Sequence, residues 1–420
     1  MKFFNGPGPI QRIALLGNHT PRQCGIATFT ADLHQAIATR FPALDCFVAA
    51  MNDPGRQYLY PPCVRLQIAQ EEPLAYRRAA ESLNARGVDV LSLQHEYGIY
   101  GGERGSHVLG LLREARMPVV TTLHTILSQP EPQQWKVMDE ITRLSERIVV
   151  MSSHGAELLR RVHGVPASKI DFIPHGIPAV PFDSDAKARL GFAGRPLILT
   201  FGLLAPDKGL EYMIDAMPAI LARFPSAIYL VVGATHPNVK AEHGEVYRDC
   251  LEARARALGV SGSIVFVDRF VSLEDLTDFL AAADIYITPY LKAEQITSGT
   301  LAYAVGSGKA VISTPYLCAK ELLAEGRGIL VPWRDGEAIA GEVVALLGDK
   351  GRLLALRHRA ADFGRSMVWP AVAKRYMETF QRARKDPRAS AAHATPAPRE
   401  AGLALTAGAL IHARQEETRS

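Results

Sequence analysis

Ser298, Gly299 and Thr300 stand where a short glycine-rich helix should begin, in a stretch reading QITSGTLAYAVGSGKAVIST (295–314) directly after the apolar run DIYITP (284–289). The unpaired N–H groups of such a start, with the positive end of the helix dipole, form an anion site, and glycine lets a phosphate approach the backbone. Ser298 by itself reads equally well as a plain N-cap. Lys208, on the loop GLLAPDKG (202–209), is the natural counter-charge. A lone lysine there reads as solvated surface; with the helix start it points to phosphate binding. Familiar nucleotide motifs do not fit. GSGK at 306–309 has Tyr303 where a phosphate loop needs glycine and Ala310 where it needs Ser or Thr, and it falls at the wrong end of its helix. No GxGxxG follows the first apolar run, and HExxH and GxSxG are absent.

The elements that must position these residues follow from hydrophobic patterning. Short apolar runs alternate with amphipathic stretches, as in a parallel sheet flanked by helices. The first half offers IALL (13–16), a helix over about 28–39, VDVLSL (88–93), a helix near 106–115, PVVTTL (118–123), RIVVM (147–151) and KIDFI (169–173). The alternation lapses over 177–195, a Pro-rich candidate linker, and restarts with PLILTF (196–201), AIYLVV (227–232), SIVFV (263–267), DIYIT (284–288), KAVIS (309–313) and GILV (328–331). The expected fold is α/β, with two doubly wound Rossmann-like units at 1–180 and 195–366. A terminal helix at 367–385 follows, carrying Val372, Tyr376, Met377 and Phe380 on one face, and then a disordered tail at 386–420. Ligands of such sheets gather beyond the carboxyl ends of the strands. Those places hold GNHTPRQCG (17–25), QHEYGIYGGE (94–103), His124, the Gly202–Lys208 loop and GATH (233–236).

Composition narrows the function classes. The 420 residues are 48% hydrophobic with mean hydropathy near zero, enough for two ordinary domains, and a net charge of +4 does not suit a nucleic-acid binder. A small-molecule partner is expected. Five cysteines, odd in number, widely spaced and without a CxxC pair, suggest neither a disulfide framework nor a zinc site. The N-terminal text breaks too early for a signal-peptide core and no later stretch is long enough to span a bilayer, so a cytoplasmic protein is expected. The basic cluster at 374–388 reads as a solvated helix face rather than a membrane contact, although weak peripheral association is compatible with it.

IPHGI (173–177), FGLLAPDKG (201–209), and ADIYITP (283–289) followed by the glycine-rich helix and KAVIST (309–314) together resemble the family 4 retaining glycosyltransferases, which have the GT-B fold. The resemblance extends over about residues 10–384. It implies two Rossmann-like domains facing across a cleft, a donor nucleotide held mainly by the C-terminal one, and a last helix crossing back to the first. Residue by residue it implies that Gly25 approaches the donor phosphates, that His124 lies close to the transferred sugar, and that Lys208 neutralises the leaving diphosphate above the amides of Gly299 and Thr300. Stabilising a departing charge is most of the task in breaking a bond to phosphate. The family substitutes on the same face through an oxocarbenium-like state, a phosphate oxygen taking the acceptor's proton, with no metal. Three positions depart from the pattern. Leu203 stands where arginine usually shares the diphosphate, and Arg22 is the candidate second cation. Gln295 and Tyr303 stand where the family has glutamates; Glu294, one residue away, is a candidate for meeting the donor sugar hydroxyls, and Tyr303 implies altered ribose recognition.

Gly202, Gln295 and Ser298 complete the expected donor site, and His95, Glu96 and Glu103 are the candidates for the acceptor side, with a structural role for His95 equally compatible. His175 and His236 are weaker candidates. Three functions fit this reading: a transferase using GDP-mannose or a UDP- or ADP-hexose; a phosphorylase on the same fold using orthophosphate or a sugar 1-phosphate, favoured by Leu203 and Tyr303; and a non-catalytic sugar- or nucleotide-binding regulator.

Overall fold

In the computed structural model the described residues are 8–180, 183 and 185–385, so the tail expected at 386–420 lies outside them. Runs dominated by Ile, Leu and Val become strands: β1 (Arg12–Gly17), β2 (Asp45–Asn52), β3 (Val64–Ala69), β4 (Val90–His95), β5 (Val119–Leu123), β6 (Arg147–Val150) and β7 (Ile170–Phe172) in the first half. In the second half they are β8 (Leu197–Phe201), β9 (Ile228–Val232), β10 (Ile264–Val267), β11 (Ile285–Thr288), β12 (Ala310–Ser313) and β13 (Ile329–Leu330). β1 to β7 form one sheet in the order β3-β2-β1-β4-β5-β6-β7, and β8 to β13 another in the order β10-β9-β8-β11-β12-β13. The ladders are parallel; residues 13–16 of β1 pair with 46–49 of β2 on one side and 90–93 of β4 on the other.

Both faces of each sheet are covered by helices, which is why the central strands are buried without alternation. Ala14, Leu16 and Phe47 face one core layer while Ile13, Leu15 and Val48 face the other. Each fully buried Ile or Leu contributes roughly 1.5–3 kcal/mol relative to exposure.

Sequence patterning did not anticipate β2 and β3. β2 (DCFVAAMN) has two adjacent alanines and a polar residue at each end, a weak strand signature, and it is a strand because it is inserted between β1 and β3. β3 is an edge strand whose burial merely alternates. The expected linker is also shorter than 177–195: Ala186–Arg189 is a helix, Ala186 is buried in the second core, and Lys187 pairs with Asp284.

The chain crosses between the halves twice, and the two crossings are paired. Ile177 N donates to Met367 O at 2.9 Å and Trp369 N to Ile177 O at 3.0 Å. Gly176 is required there, since a Cβ would lie 2.2 Å from the Trp369 ring. The helix Trp369–Lys385 then packs on the helix Gly25–Arg40, burying Val372, Tyr376, Met377 and Phe380, and Tyr376 OH reaches Thr122 Oγ1 at 2.9 Å. Arg382 and Arg384 of the basic cluster are engaged by Asp171 and Asp89. Among the described residues no helix is long and apolar enough to cross a membrane.

Candidate active site

Strand order reverses between β1 and β4 in the first sheet and between β8 and β11 in the second. In open parallel sheets the crevice beyond the strand ends at such a reversal is where ligands collect. Most of the candidate residues lie at these two places.

In the second half, the helix Gly299–Gly306 begins as the sequence suggests. Ser298 is its N-cap, Oγ accepting from Leu301 N at 3.3 Å, which leaves other first-turn amides unpaired. Thr300 Oγ1 is 3.0 Å from Tyr290 OH, and the Tyr290 ring lies 4.2 Å beneath Lys208 Nζ. The Asp207 carboxylate stays 3.7 Å from that ammonium. Gly202 completes the cradle from β8, where a Cβ would come within 3.1 Å of Thr300 Cγ2. Cation, hydroxyls and amides thus converge on one face, an arrangement suited to a diphosphate. Gln295 does not join it: its Nε2 donates to Thr297 O within its own loop at 3.0 Å. His236 caps the helix Pro237–His243, with burial and then Lys208 lowering its pKa.

Across the cleft, His124 is 8% exposed, and burial, then His175 and His95, push its pKa to about 3. The ring is neutral at neutral pH. Gln94 Nε2 donates to Ser92 Oγ at 3.2 Å, which turns Gln94 Oε1 toward His124 Nε2 at 3.1 Å. That assigns the proton to Nε2 and leaves Nδ1 as an acceptor. Phe29 lies edge-on to His124 at 4.8 Å and to His175 at 5.0 Å. His175, held neutral by burial with a pKa of about 4, donates from Nδ1 to Gly176 O at 2.7 Å. Its Nε2 then faces Gly299, where a Cβ would be 3.0 Å away. A continuous series of contacts therefore runs from His124 through Phe29 and His175 to Gly299, and on through Tyr290 to Lys208. Phe29 and Tyr290 were not singled out in the sequence; Tyr290 follows the Pro that ends the apolar run, the one signal that could have found it.

The remaining candidates lie as follows. Gly25 opens the helix Gly25–Arg40 with nothing within 4 Å of a Cβ, so a ligand has room there. Arg22 is held by Asn18 Oδ1 and Asp53 Oδ1, each at 2.6 Å, so its charge is already answered within the first half. Glu294 is exposed and accepts from Ser128 Oγ at 2.9 Å across the cleft. Glu96 accepts from Thr125 Oγ1 at 2.5 Å and from Tyr97 N at 3.0 Å; burial raises its pKa, opposed by these bonds and by Lys292 of the second half. His95, expected on the acceptor side, is instead wholly buried. It packs between Tyr97 and Tyr100 at the end of β4, where burial pushes its pKa down to about 3, which fits the structural role that the sequence left open for it. Glu103 is exposed at the start of the single turn Glu103–Gly105 and makes none of these contacts.

Tyr303 has a definite partner. Its OH donates to Asp32 Oδ2 at 2.8 Å, joining the helix Gly299–Gly306 to the helix Gly25–Arg40 across the halves. Burial pushes Asp32 up to about 6, against the opposing pull of the Tyr303 hydrogen bond. A carboxyl whose folded pKa is raised binds its proton more tightly in the folded chain. The stability it contributes is complete below its unfolded pKa of about 4 and is lost as pH rises through about 6. Asp32→Asn should therefore gain thermal stability relative to the parent between about pH 4 and about pH 7. Scanning calorimetry on both proteins checks this, and parallel Tm profiles would exclude it.

Comparison with known proteins agrees with this fold. Residues 195–349 match the family described as Glycosyl transferases group 1, and residues 24–179 match Glycosyltransferase Family 4. The chain belongs to this family of glycosyltransferases and has its GT-B fold. It is 26% identical over 428 residues to the D-inositol 3-phosphate glycosyltransferase of Xylanimonas cellulosilytica, covering 89% of this chain and 97% of that one. It is 25% identical over 277 residues to the phosphatidyl-myo-inositol mannosyltransferase of Mycolicibacterium smegmatis, covering 64% and 66%. Among solved structures, sucrose-phosphate synthase of Thermosynechococcus elongatus superposes with a TM-score of 0.70 at 19% identity over 89% of this chain and 98% of that one. Anabaena HepE in complex with UDP and glucose gives 0.69 at 17% identity over 89% and 100%.

Proposed function

We propose that this glycosyltransferase moves a hexosyl group from a nucleoside-diphosphate sugar to a hydroxyl acceptor with retention of configuration. The observation that carries the reading is the cradle of Lys208, Thr300 and the Gly299 helix start, opposite neutral His124 and the open helix start at Gly25. In the proposed step the bond from the anomeric carbon to the diphosphate oxygen breaks and its electron pair leaves with the diphosphate. Lys208 and the Gly299 and Thr300 amides answer that charge, most strongly as it develops. The acceptor oxygen bonds to the same face and its proton passes to the departing phosphate oxygen. His124, neutral and oriented by Gln94, offers a hydrogen-bond acceptor beside the sugar rather than a charge. HepE was solved with UDP and glucose, and the relatives include mannosyltransferases, which makes UDP- and GDP-hexoses the first donors to try.

The phosphorylase alternative is favoured by Leu203 and by the engagement of Tyr303 with Asp32, which leaves neither an arginine for the diphosphate nor a glutamate for the ribose at those positions. A thermal-shift panel of GDP, UDP, ADP, orthophosphate and sugar 1-phosphates separates the two. Ligand at about a hundred times its Kd adds about 2.7 kcal/mol of stability. A shift with one nucleoside diphosphate supports the transferase; a shift only with phosphate or a sugar 1-phosphate replaces it with the phosphorylase.

A further inference from the structure

The proposed transfer step makes no use of His175, yet its ring stands at the donor cradle. The residue lies where the chain crosses from the first half to the second, and it is partly exposed. Three aromatic rings hold it in place: Phe29 at 5.0 Å, Tyr303 at 6.0 Å and Trp369 at 6.4 Å between centroids. Nδ1 donates to Gly176 O at 2.7 Å, so in the neutral ring Nε2 carries the lone pair. Among the described residues Nε2 has no hydrogen-bond partner. It faces Gly299, where a Cβ would be 3.0 Å away. A backbone nitrogen lies about 2.5 Å from its own Cβ, which puts Nε2 within about 5.5 Å of the Gly299 amide.

That placement is unfavourable for a bound anion unless the ring changes its charge. Each phosphate of a nucleotide sugar carries a negative charge. Lys208 answers one of them, partly offset by Asp207 at 3.7 Å, and Arg22 is already engaged by Asp53. The other phosphate is left with the amides of the helix start and meets a nitrogen lone pair that repels it. A proton on Nε2 turns this repulsion into a charge-assisted hydrogen bond, while Nδ1 stays on Gly176 O. In the empty protein burial holds the ring neutral with a pKa of about 4, against the pull of the Gly176 carbonyl. An anion within about 4–6 Å favours the charged form and moves that pKa up. The other ionisable groups around the ring are neutral His124 after β5, Asp32 on the helix Gly25–Arg40 with its partner Tyr303 on the helix Gly299–Gly306, and Lys208 beyond Tyr290.

We infer that His175 is the second cation of the donor site: Nε2 takes a proton from solvent as the diphosphate arrives, donates in a hydrogen bond to a phosphate oxygen, and releases the proton when the diphosphate leaves. The inference rests on the transferase reading.

Titration calorimetry with UDP-glucose, GDP-mannose and ADP-glucose tests it, in two buffers of different ionisation enthalpy so that the protons taken up are counted. These donors have fully esterified phosphates, whereas the terminal phosphate of a free nucleoside diphosphate itself titrates near pH about 6. A base whose pKa rises on binding favours binding as pH falls. The donor that binds should therefore bind at least about fourfold tighter at about pH 5.5 than at about pH 8, with net proton uptake. His175→Gln keeps a neutral donor but cannot charge; it should lose the uptake and bind at least about fourfold more weakly than the parent at about pH 5.5. Asp32→Asn removes the other group that titrates in this range and should keep both the uptake and the slope. Binding by the parent without proton uptake, uptake that survives in His175→Gln, or uptake that vanishes in Asp32→Asn overturns the inference and leaves the transferase reading standing. Failure of all three donors to bind removes the transferase reading, and the inference with it. The parent's own proton count depends on no variant folding.

Discussion

Lys208→Ala should lower kcat by about a hundred- to a thousandfold, the loss typical of removing one preorganised group that answers developing charge. Little of this should appear as instability. The side chain is 23% exposed, and its cation–π contact with Tyr290 is worth about 1 kcal/mol. The informative comparison is between kcat and KM. A residue that merely binds the ground state would raise KM with kcat unchanged, whereas one that answers the leaving charge lowers kcat and kcat/KM together. Lys208→Arg should not restore full activity, because a planar guanidinium over the Tyr290 ring presents its donors in a different plane from a compact ammonium. Leu203 removes the usual second cation and Arg22 is engaged by Asp53, so no permanently charged neighbour should buffer the effect. A kcat within about threefold of the parent would sink the assignment.

Gly233→Ala should be strongly destabilising for so small a substitution. Gly233 follows β9 with φ +145°, a conformation that side-chain-bearing residues rarely adopt, and a Cβ there would lie 2.0 Å from the carbonyl oxygen of Gly202. Backbone strain of this kind costs roughly 1–3 kcal/mol, and the clash is with main chain that no rotamer change can move. A loss of about 3 kcal/mol or more is expected, lowering Tm by roughly 6–12 °C for a unit of this size. The strain also falls on the cradle, since Gly202 is one of its walls. Gly25→Ala is the control: with no left-handed φ and nothing within 4 Å, it should leave Tm nearly unchanged. Equal melting temperatures for the parent and Gly233→Ala would contradict the geometry.

Much of the second half was legible before the structure. Its six strands coincide with the apolar runs, and the helix start at Ser298 to Thr300 lies where the pattern put it, because buried parallel strands and an N-cap followed by small residues are local signals. The first half was read less completely. β2 and β3 lack a strong local pattern, and their identity depends on what they pair with. His95 could be read either as a ligand contact or as core, since a strand end is polar or buried according to which neighbour covers it.

The sequence by itself determined the class of fold and the residue types facing the strand ends, because hydrophobic period and turn chemistry act over a few residues. It also determined that Leu203 and Tyr303 break the family pattern. The tertiary structure alone decided which of these groups meet: that Phe29 and His175 link His124 to Gly299, that Tyr303 is bound by Asp32 of the other half, and that Arg22 is engaged by Asp53. These pairs are far apart in the chain, Asp32 and Tyr303 by 271 residues, and no local pattern records a contact made only when two separately wound sheets close on one another.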